Sequence, residues 1–516
     1  MLPDALLDPA VYPHAAPAPT LIETHVSWVV LAGDYAYKLK KPVRYPFLDY
    51  SSVALRRAAC VTEVELNRRW APTLYLGVAE LVATPDGPRF DRAGTPLEPA
   101  VRMRRFDRRL ELDALVARAA VGTAELAALG AAVARWQDAS PPVEPGAPWG
   151  TPAEARAAMH ENLDALRVPG QPLPAAALAA LADWVAVEHA AIAPALAERR
   201  RRGRVRECHG DLHSRNVVRL DGTLTPFDGI DFAARLRFID VASDASFLTM
   251  DLERLGRADL AVAFAEGWLD ASGDHACAPV LRWFLTYRAL VRAKVDALRA
   301  RQLDDAGGAA IAWSECRRFI DAASDYALRP AGLIAITCGA SGSGKSHVAA
   351  ALAATLPAVR LRSDVERKRL AGLPAGARSG STLGAGLYAA EATRRTYAHL
   401  AAIAAPLARA GLNVLVDATY LDAVERQHIR AAAAAAGASF AIVECSAAEA
   451  LLRERVSSRR GDPSEATLEV LAHQLQNVAP LSPAERRVAV TVDTAGPIDA
   501  AALAVALRAA AAPPAG

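Results

Sequence analysis

Two short stretches of this chain have the residue types and spacing needed to handle phosphate. In "HGDLHSRNVV", His209 to Val218, a carboxylate at Asp211 is followed five residues later by the amide of Asn216, beside a short apolar run. Moving a phosphoryl group onto a hydroxyl requires a base to orient that hydroxyl and oxygen ligands for the magnesium that neutralises the phosphates. Asp211 suits the first task and Asn216 the second. The other stretch, "GASGSGKS", fits G-x4-G-K-[ST], follows the apolar run "LIAITC" and precedes the helical "HVAAALAATL". In that context the backbone N–H groups of Gly339, Ala340, Ser341, Gly342, Ser343 and Gly344, with His347 at the helix start, cradle phosphates. Lys345 then reaches the β- and γ-phosphates and Ser346 holds magnesium.

The elements around these stretches follow from pattern. "SWVVLAGDYAYKLKK" reads as two strands joined at Gly33-Asp34, a hairpin signal. A helix is expected from Ser51 to Trp70, then strands in "TLYLGVAELVAT" and "PAVRMRRF". Ala/Leu-rich helical spacing covers Leu110 to Trp136 and Pro174 to Arg202, with the Pro-rich "SPPVEPGAPWGTP" between them as a loop inside one domain. A strand pair, "VVRL-DG-TLTPFDGIDF", follows the HGD stretch, and helices run from Val241 to Asp325. Pro330 in "DYALRPAG" ends them. Beyond it, strand, glycine loop and helix alternate through "LNVLVDAT" and "SFAIVECS", which implies a parallel sheet covered by helices.

The first stretch resembles the HxDxxxxN motif of the aminoglycoside phosphotransferase and choline kinase group within the protein-kinase-like fold. The resemblance implies that His209 supports the loop, Asp211 is the base and Asn216 binds magnesium. It implies a second metal carboxylate after the hairpin, with Asp228 and Asp231 both open, and a lysine–glutamate pair for the nucleotide. Lys38 or Lys40 in "AYKLKKP" and Glu63 or Glu65 in "VTEVELNRR" are the candidates, and residues 100 to 106 would form the hinge over adenine.

The second stretch is followed by "RLRSDVERKRL", whose Asp364-x2-Arg367 pair resembles polynucleotide 5′-kinases, zeta toxins and related small P-loop kinases. That resemblance makes Asp364 the base and Arg367 the grip on the acceptor. Asp417 ends an apolar strand as a Walker-B-like metal carboxylate would. Arg453, Arg455, Arg459 and Arg460 look like an arginine-bearing lid over a triphosphate, and the Gly-rich residues 372 to 386 like a substrate loop. His213 beside Asp211 has no second histidine or cysteine spaced for a metal site, and His399 and His428, alone in helices, read as surface or satisfied residues.

With 516 residues, 52% of them apolar, two to three domains with sizeable cores are expected. The net charge of +2 argues against a polycationic nucleic-acid binder, although the part after residue 331 has a mild excess of Lys and Arg. Six scattered cysteines without a CxxC pair imply neither a disulfide framework nor a zinc site. No signal-peptide pattern and no charge-free run of membrane length is read, so a cytoplasmic protein is expected.

The resulting expectation is a mixed α/β and α+β chain of two domains. Residues 1–328 would form a protein-kinase-like (aminoglycoside phosphotransferase) domain, and 329–516 a P-loop NTPase-type three-layer domain with a parallel sheet. ATP and Mg2+ are the expected cofactors and hydroxyl-bearing molecules the expected partners. Two other readings remain: an ATP-hydrolysing switch beside a non-catalytic kinase-like binding domain, and a nucleic-acid 5′-hydroxyl kinase at the P-loop.

Overall fold

The computed structural model describes the chain except residues 1, 25, 46–47, 375–376, 378–386, 388, 459–466 and 512–516. It divides into two compact units: residues 1–155 with 197–255, and residues 156–196 with 256–516. The helices after residue 256 pack with the P-loop half.

The first unit is built on a six-stranded antiparallel sheet. Its strand order is Thr20–Glu23, Ser27–Ala32, Tyr35–Lys40, Thr95–Arg104, Tyr75–Thr84, Gly87–Phe90. Gly33-Asp34 does turn the second strand into the third, in register from Ala32↔Tyr35 to Ser27↔Lys40. The helix Val53–Asn67 starts where the Ser52 hydroxyl accepts the Leu55 N–H. Its Cys60 and Val64 pack on Ala36, Val101 and Met103 of the sheet, which fixes its rotation and turns Glu63 toward the strand carrying Lys38.

Below the sheet, strand Val205–Glu207 pairs with Phe238–Asp240, and the HGD stretch leaves it. The hairpin Val217–Leu220/Thr223–Pro226 follows, turned by Asp221-Gly222, both at positive φ as a tight primed turn requires. Helix Val241–Arg254 is buried on nearly every side. The single helix expected from Leu110 to Trp136 is two, Leu112–Ala117 and Thr123–Ala139, separated around Gly122. Helix Pro152–Leu166 was not expected; its Pro sits in the first turn, where a missing N–H is harmless.

The second unit contains a five-stranded, all-parallel sheet in the order Ala358–Arg362, Asn413–Asp417, Leu333–Cys338, Ser439–Ser446, Ala489–Asp493. The strand before the P-loop is central and wholly buried, as its uninterrupted apolar sequence demands. Helices Lys345–Thr355 and Ala500–Ala511 cover one face through Val348, Leu352, Leu503 and Leu507. Helix Ala390–Arg409 packs against the sheet as well. Helix Ala258–Ser272 lies against the strand Ala358–Arg362, where Arg360 meets Glu266 at 3.3 Å.

One described helix, Ala175–Arg201, is long and apolar enough to cross a membrane by length and composition alone. Its Leu178, Leu181, Val185, Ile192 and Leu196 are buried, but only 22% of the apolar window is. All six cysteines are buried, and none is in a disulfide.

Candidate active sites

In the first unit, charges from three elements distant in sequence meet. Lys38 on the third strand bonds Glu63 on the helix at 2.8 Å and Asp228 after the hairpin at 2.6 Å. Lys40, two residues on and therefore on the same strand face, bonds the other oxygen of Glu63 and Asp231, both at 2.6 Å. Glu63 thus bridges two ammonium groups, whereas Glu65 is exposed. The two lysine–aspartate pairs differ in exposure. Lys40 and Asp231 form a closed pair with almost no exposure, while the Asp228 side chain is 45% exposed and open to a ligand.

Burial alone would depress the pKa of Lys38, but Asp228 and Glu63 outweigh it and hold the ammonium well above its ordinary value. Burial likewise pushes Glu63 up, and the two lysines bring it below the usual carboxylate range. Asp231 is raised, by burial first and despite Lys40. Fully ionised, three carboxylates face two lysines, an excess of one negative charge that suits a cation at the open end.

The HGD loop is fastened from behind. The Nε2 of His209 lies 2.9 Å from the Phe227 carbonyl, which can only accept, so Nε2 carries the proton and Nδ1 accepts the Asp211 N–H. Burial lowers the pKa of this histidine, keeping it neutral. Asn216 donates to Asp211 through its carboxylate and its carbonyl, each at 3.0 Å. That leaves the Asn216 Oδ1 as its acceptor. His213 also stands 3.4 Å from the Asp211 carboxylate. Asp228 has φ +60°, a strained conformation for this residue, with its N–H on the Tyr75 hydroxyl.

Two buried carboxylates that sequence reasoning missed complete the loop. Asp244 accepts the His209 and Gly210 N–H groups and the Gln137 amide. Asp251 accepts both the N–H and the hydroxyl of Ser214. Two aspartates on the largely buried helix "VASDASFLTMDLER" were the available signal. The expected hinge, residues 100 to 106, is mostly strand; only Arg105 and Phe106 lie beyond it.

In the second unit the phosphate loop leaves the central strand as expected. Gly339 has φ +148°, and a Cβ there would sit 2.4 Å from the Cys445 carbonyl and 2.6 Å from the Ser343 hydroxyl. Only glycine fits. Lys345 folds over the loop onto the Ala340 carbonyl at 2.6 Å, and the Ser346 hydroxyl lies 3.2 Å from Asp417 on the neighbouring strand. Ser346 and His347 are exposed at the helix start.

Asp364 opens helix Ser363–Leu370 directly after the strand whose last residue, Arg362, registers with Asp417. Arg367, expected to grip an acceptor, instead directs Nη1 to the Leu387 carbonyl and the Thr393 hydroxyl and is nearly buried. In this arrangement it braces the chain. Arg453 pairs with Glu449, and Arg455 fastens on Gly342 and Thr494. Arg459, Arg460 and most of the expected substrate loop 372–386 lie outside the described residues. His399 is satisfied by Glu366 at 3.1 Å, and His428 is exposed.

Among the described residues no group of three or more His, Cys, Asp or Glu could hold a metal ion. Magnesium in phosphoryl transfer needs fewer, one or two protein oxygens with the phosphates completing the shell. The Ser346–Asp417 pair fits that requirement, and so do Asn216 and Asp228.

One unit thus carries a charged cluster on an antiparallel sheet and the other a P-loop on a parallel sheet, and comparison with known proteins matches the P-loop part in sequence. The AAA domain family matches residues 334–481. Over 476 residues, 92% of each chain, the protein is 31% identical to the uncharacterized proteins Rv2004c of Mycobacterium tuberculosis and Mb2027c of Mycobacterium bovis. The chain belongs to the family of these mycobacterial proteins. Among solved structures it is similar to a choline/ethanolamine kinase family protein from Mesorhizobium loti (14% identity, 63% of this chain and 99% of that one, TM-score 0.36). It is also similar to the Mycobacterium tuberculosis APS kinase CysC in complex with AMPPNP and APS (22% identity, 35% of this chain and 98% of that one, TM-score 0.27).

Proposed function

We propose that this protein is an ATP-dependent phosphotransferase with two nucleotide sites. In this reading a kinase-like domain, 1–328, acts on a small hydroxyl-bearing molecule, and a P-loop domain, 329–516, acts on a second hydroxyl acceptor. The observation that carries it is the chain Glu63–Lys38–Asp228 in the same unit as the Asp211–Asn216 pair.

At the first site Asp211 takes the proton from the acceptor hydroxyl as its oxygen bonds to the γ-phosphorus, and ADP leaves with the electron pair of the broken P–O bond. Glu63 holds Lys38 for the phosphates, and Asn216 and Asp228 supply oxygens for magnesium. At the second, the amides of residues 339–346 and Lys345 hold the triphosphate, and Ser346 and Asp417 supply the metal oxygens. Asp364 is the acceptor-side base. Magnesium, when bound, neutralises the phosphates and makes them better electrophiles.

The test is transfer from γ-labelled ATP into pooled metabolites, aminoglycosides and 5′-hydroxyl oligonucleotides by wild type, Asp211→Ala and Lys345→Ala. Two labelled acceptors, one lost in each variant, are expected. Free phosphate without any labelled acceptor, abolished only in Lys345→Ala, would refute the double-kinase reading.

A further inference from the structure

Backbone N–H groups that cradle phosphate need acceptors when no phosphate is present. In the P-loop two are served by backbone carbonyls: Gly339 donates to the Thr419 carbonyl at 3.0 Å and Ser343 to the Ala340 carbonyl at 3.1 Å. Ser341 is different. Its N–H donates to a side chain from far along the chain, Oε1 of Gln474, at 2.8 Å.

Gln474 is not a loose surface group that happens to reach the loop. It stands on helix Leu468–Gln476, which packs with helix Glu449–Ser458 against the loop itself. Leu452, Val456 and Leu471 bury Ala340 between them, with Leu475 at the margin. Arg455 donates to the Gly342 carbonyl and grips Thr494 through two further bonds. The approach is so close that a Cβ on Gly342, itself at φ +83°, would stand 2.7 Å from the Leu452 carbonyl. Helix, side chain and amide are held together.

To an N–H, a carboxamide oxygen and a phosphate oxygen are the same kind of partner, and one N–H serves one of them well. We propose that Gln474 is a phosphate surrogate: its Oε1 holds the Ser341 N–H in the nucleotide-free protein and is displaced from it by an oxygen of the bound nucleotide. The inference rests on residues 339–346 being a nucleotide site. It adds a residue outside the P-loop that competes with nucleotide and moves when nucleotide arrives.

Calorimetric titration of the full chain with MgATP tests this, the component that Lys345→Ala removes being taken as the P-loop site. Gln474→Leu keeps the packing volume and removes the acceptor, so its P-loop component should tighten by about fivefold, the worth of one neutral hydrogen bond. Gln474→Glu offers a charged acceptor, which bonds the amide more strongly and repels the triphosphate, and should weaken binding by tenfold or more. Unchanged or weaker binding by Gln474→Leu would overturn the surrogate while leaving the nucleotide site standing. Equal affinities for the Leu and Glu variants would do the same. Wild type with no Lys345-dependent component would instead remove the nucleotide site, and the surrogate with it.

Discussion

Lys38 reaches Asp228 across 190 residues of sequence, whereas most of what would cradle a phosphate at the P-loop lies within Gly339–Ser346. The first site is made of side-chain charges of opposite sign brought together across strand, helix and hairpin. The second is made chiefly of backbone, shaped by glycines too crowded to be anything else. A site of paired charges is vulnerable to losing one partner, because the others stay behind in a poor solvent. A site of backbone is vulnerable to added atoms.

The largest effect should come from Glu63→Leu, which strands Lys38 and Lys40 with one carboxylate each. Breaking a buried pair of this kind costs about 3–5 kcal/mol, read as a lower midpoint in urea. Glu65→Leu, at an exposed position, should leave that midpoint unchanged. At the backbone-made site, Gly339→Ala meets the Cys445 carbonyl in a strained conformation and should cost about 1–3 kcal/mol. It should also abolish binding of a fluorescent ATP analogue at the P-loop. If Gly339→Ala binds normally while Glu63→Leu is silent, the contrast between the two constructions fails.

A third test is pH. Burial, more than anything else, raises Glu266 to about 7, despite Arg360. The folded protein therefore holds a proton between pH 4.5 and 7 that the unfolded chain releases. This contribution is complete below 4.5 and disappears as pH rises through 7. Thermal unfolding from pH 4.5 to 8 should show wild type losing stability relative to Glu266→Gln as pH rises; parallel curves would contradict the assignment. The smallest effect belongs to Arg453→Ala. Its exposed pair with Glu449 should be worth no more than about 0.5 kcal/mol in the same measurement.

The same contrast explains what the sequence revealed. The P-loop and the HGD loop were legible because spacing within a few residues defines them, and the hairpin at Gly33-Asp34 because the turn chemistry is local. Lys38 against Lys40 and Asp228 against Asp231 were not separable, since both members of each pair join one cluster and only burial distinguishes them. Asp244 and Asp251 were missed because their role is to accept amides some 35 residues back, and no periodicity marks that. Arg367, which by its spacing from Asp364 resembles an acceptor grip, hydrogen-bonds Leu387 and Thr393, partners that no local pattern announces. Pro152 was read as loop because proline disfavours a helix interior, and the sequence did not mark this one as lying in a first turn.

The P-loop strand, its glycine loop and its Walker-type carboxylate look like a cassette that could be cut out at residue 329 and moved to another protein. The fold does not allow so clean a cut. Helix Ala258–Ser272, encoded with the kinase-like half, packs on the strand that leads into Asp364, and Arg369 on the following helix donates to the Asp270 carbonyl. At the other end, strand Ala489–Asp493 and Thr494, which accepts from Arg455 and donates to Ser343, lie beyond the AAA domain match. A recombination event or an expression fragment that kept only the motif-bearing stretch would inherit a phosphate loop without the walls that shape it. In such a protein, selection acts on the fusion as one inheritance.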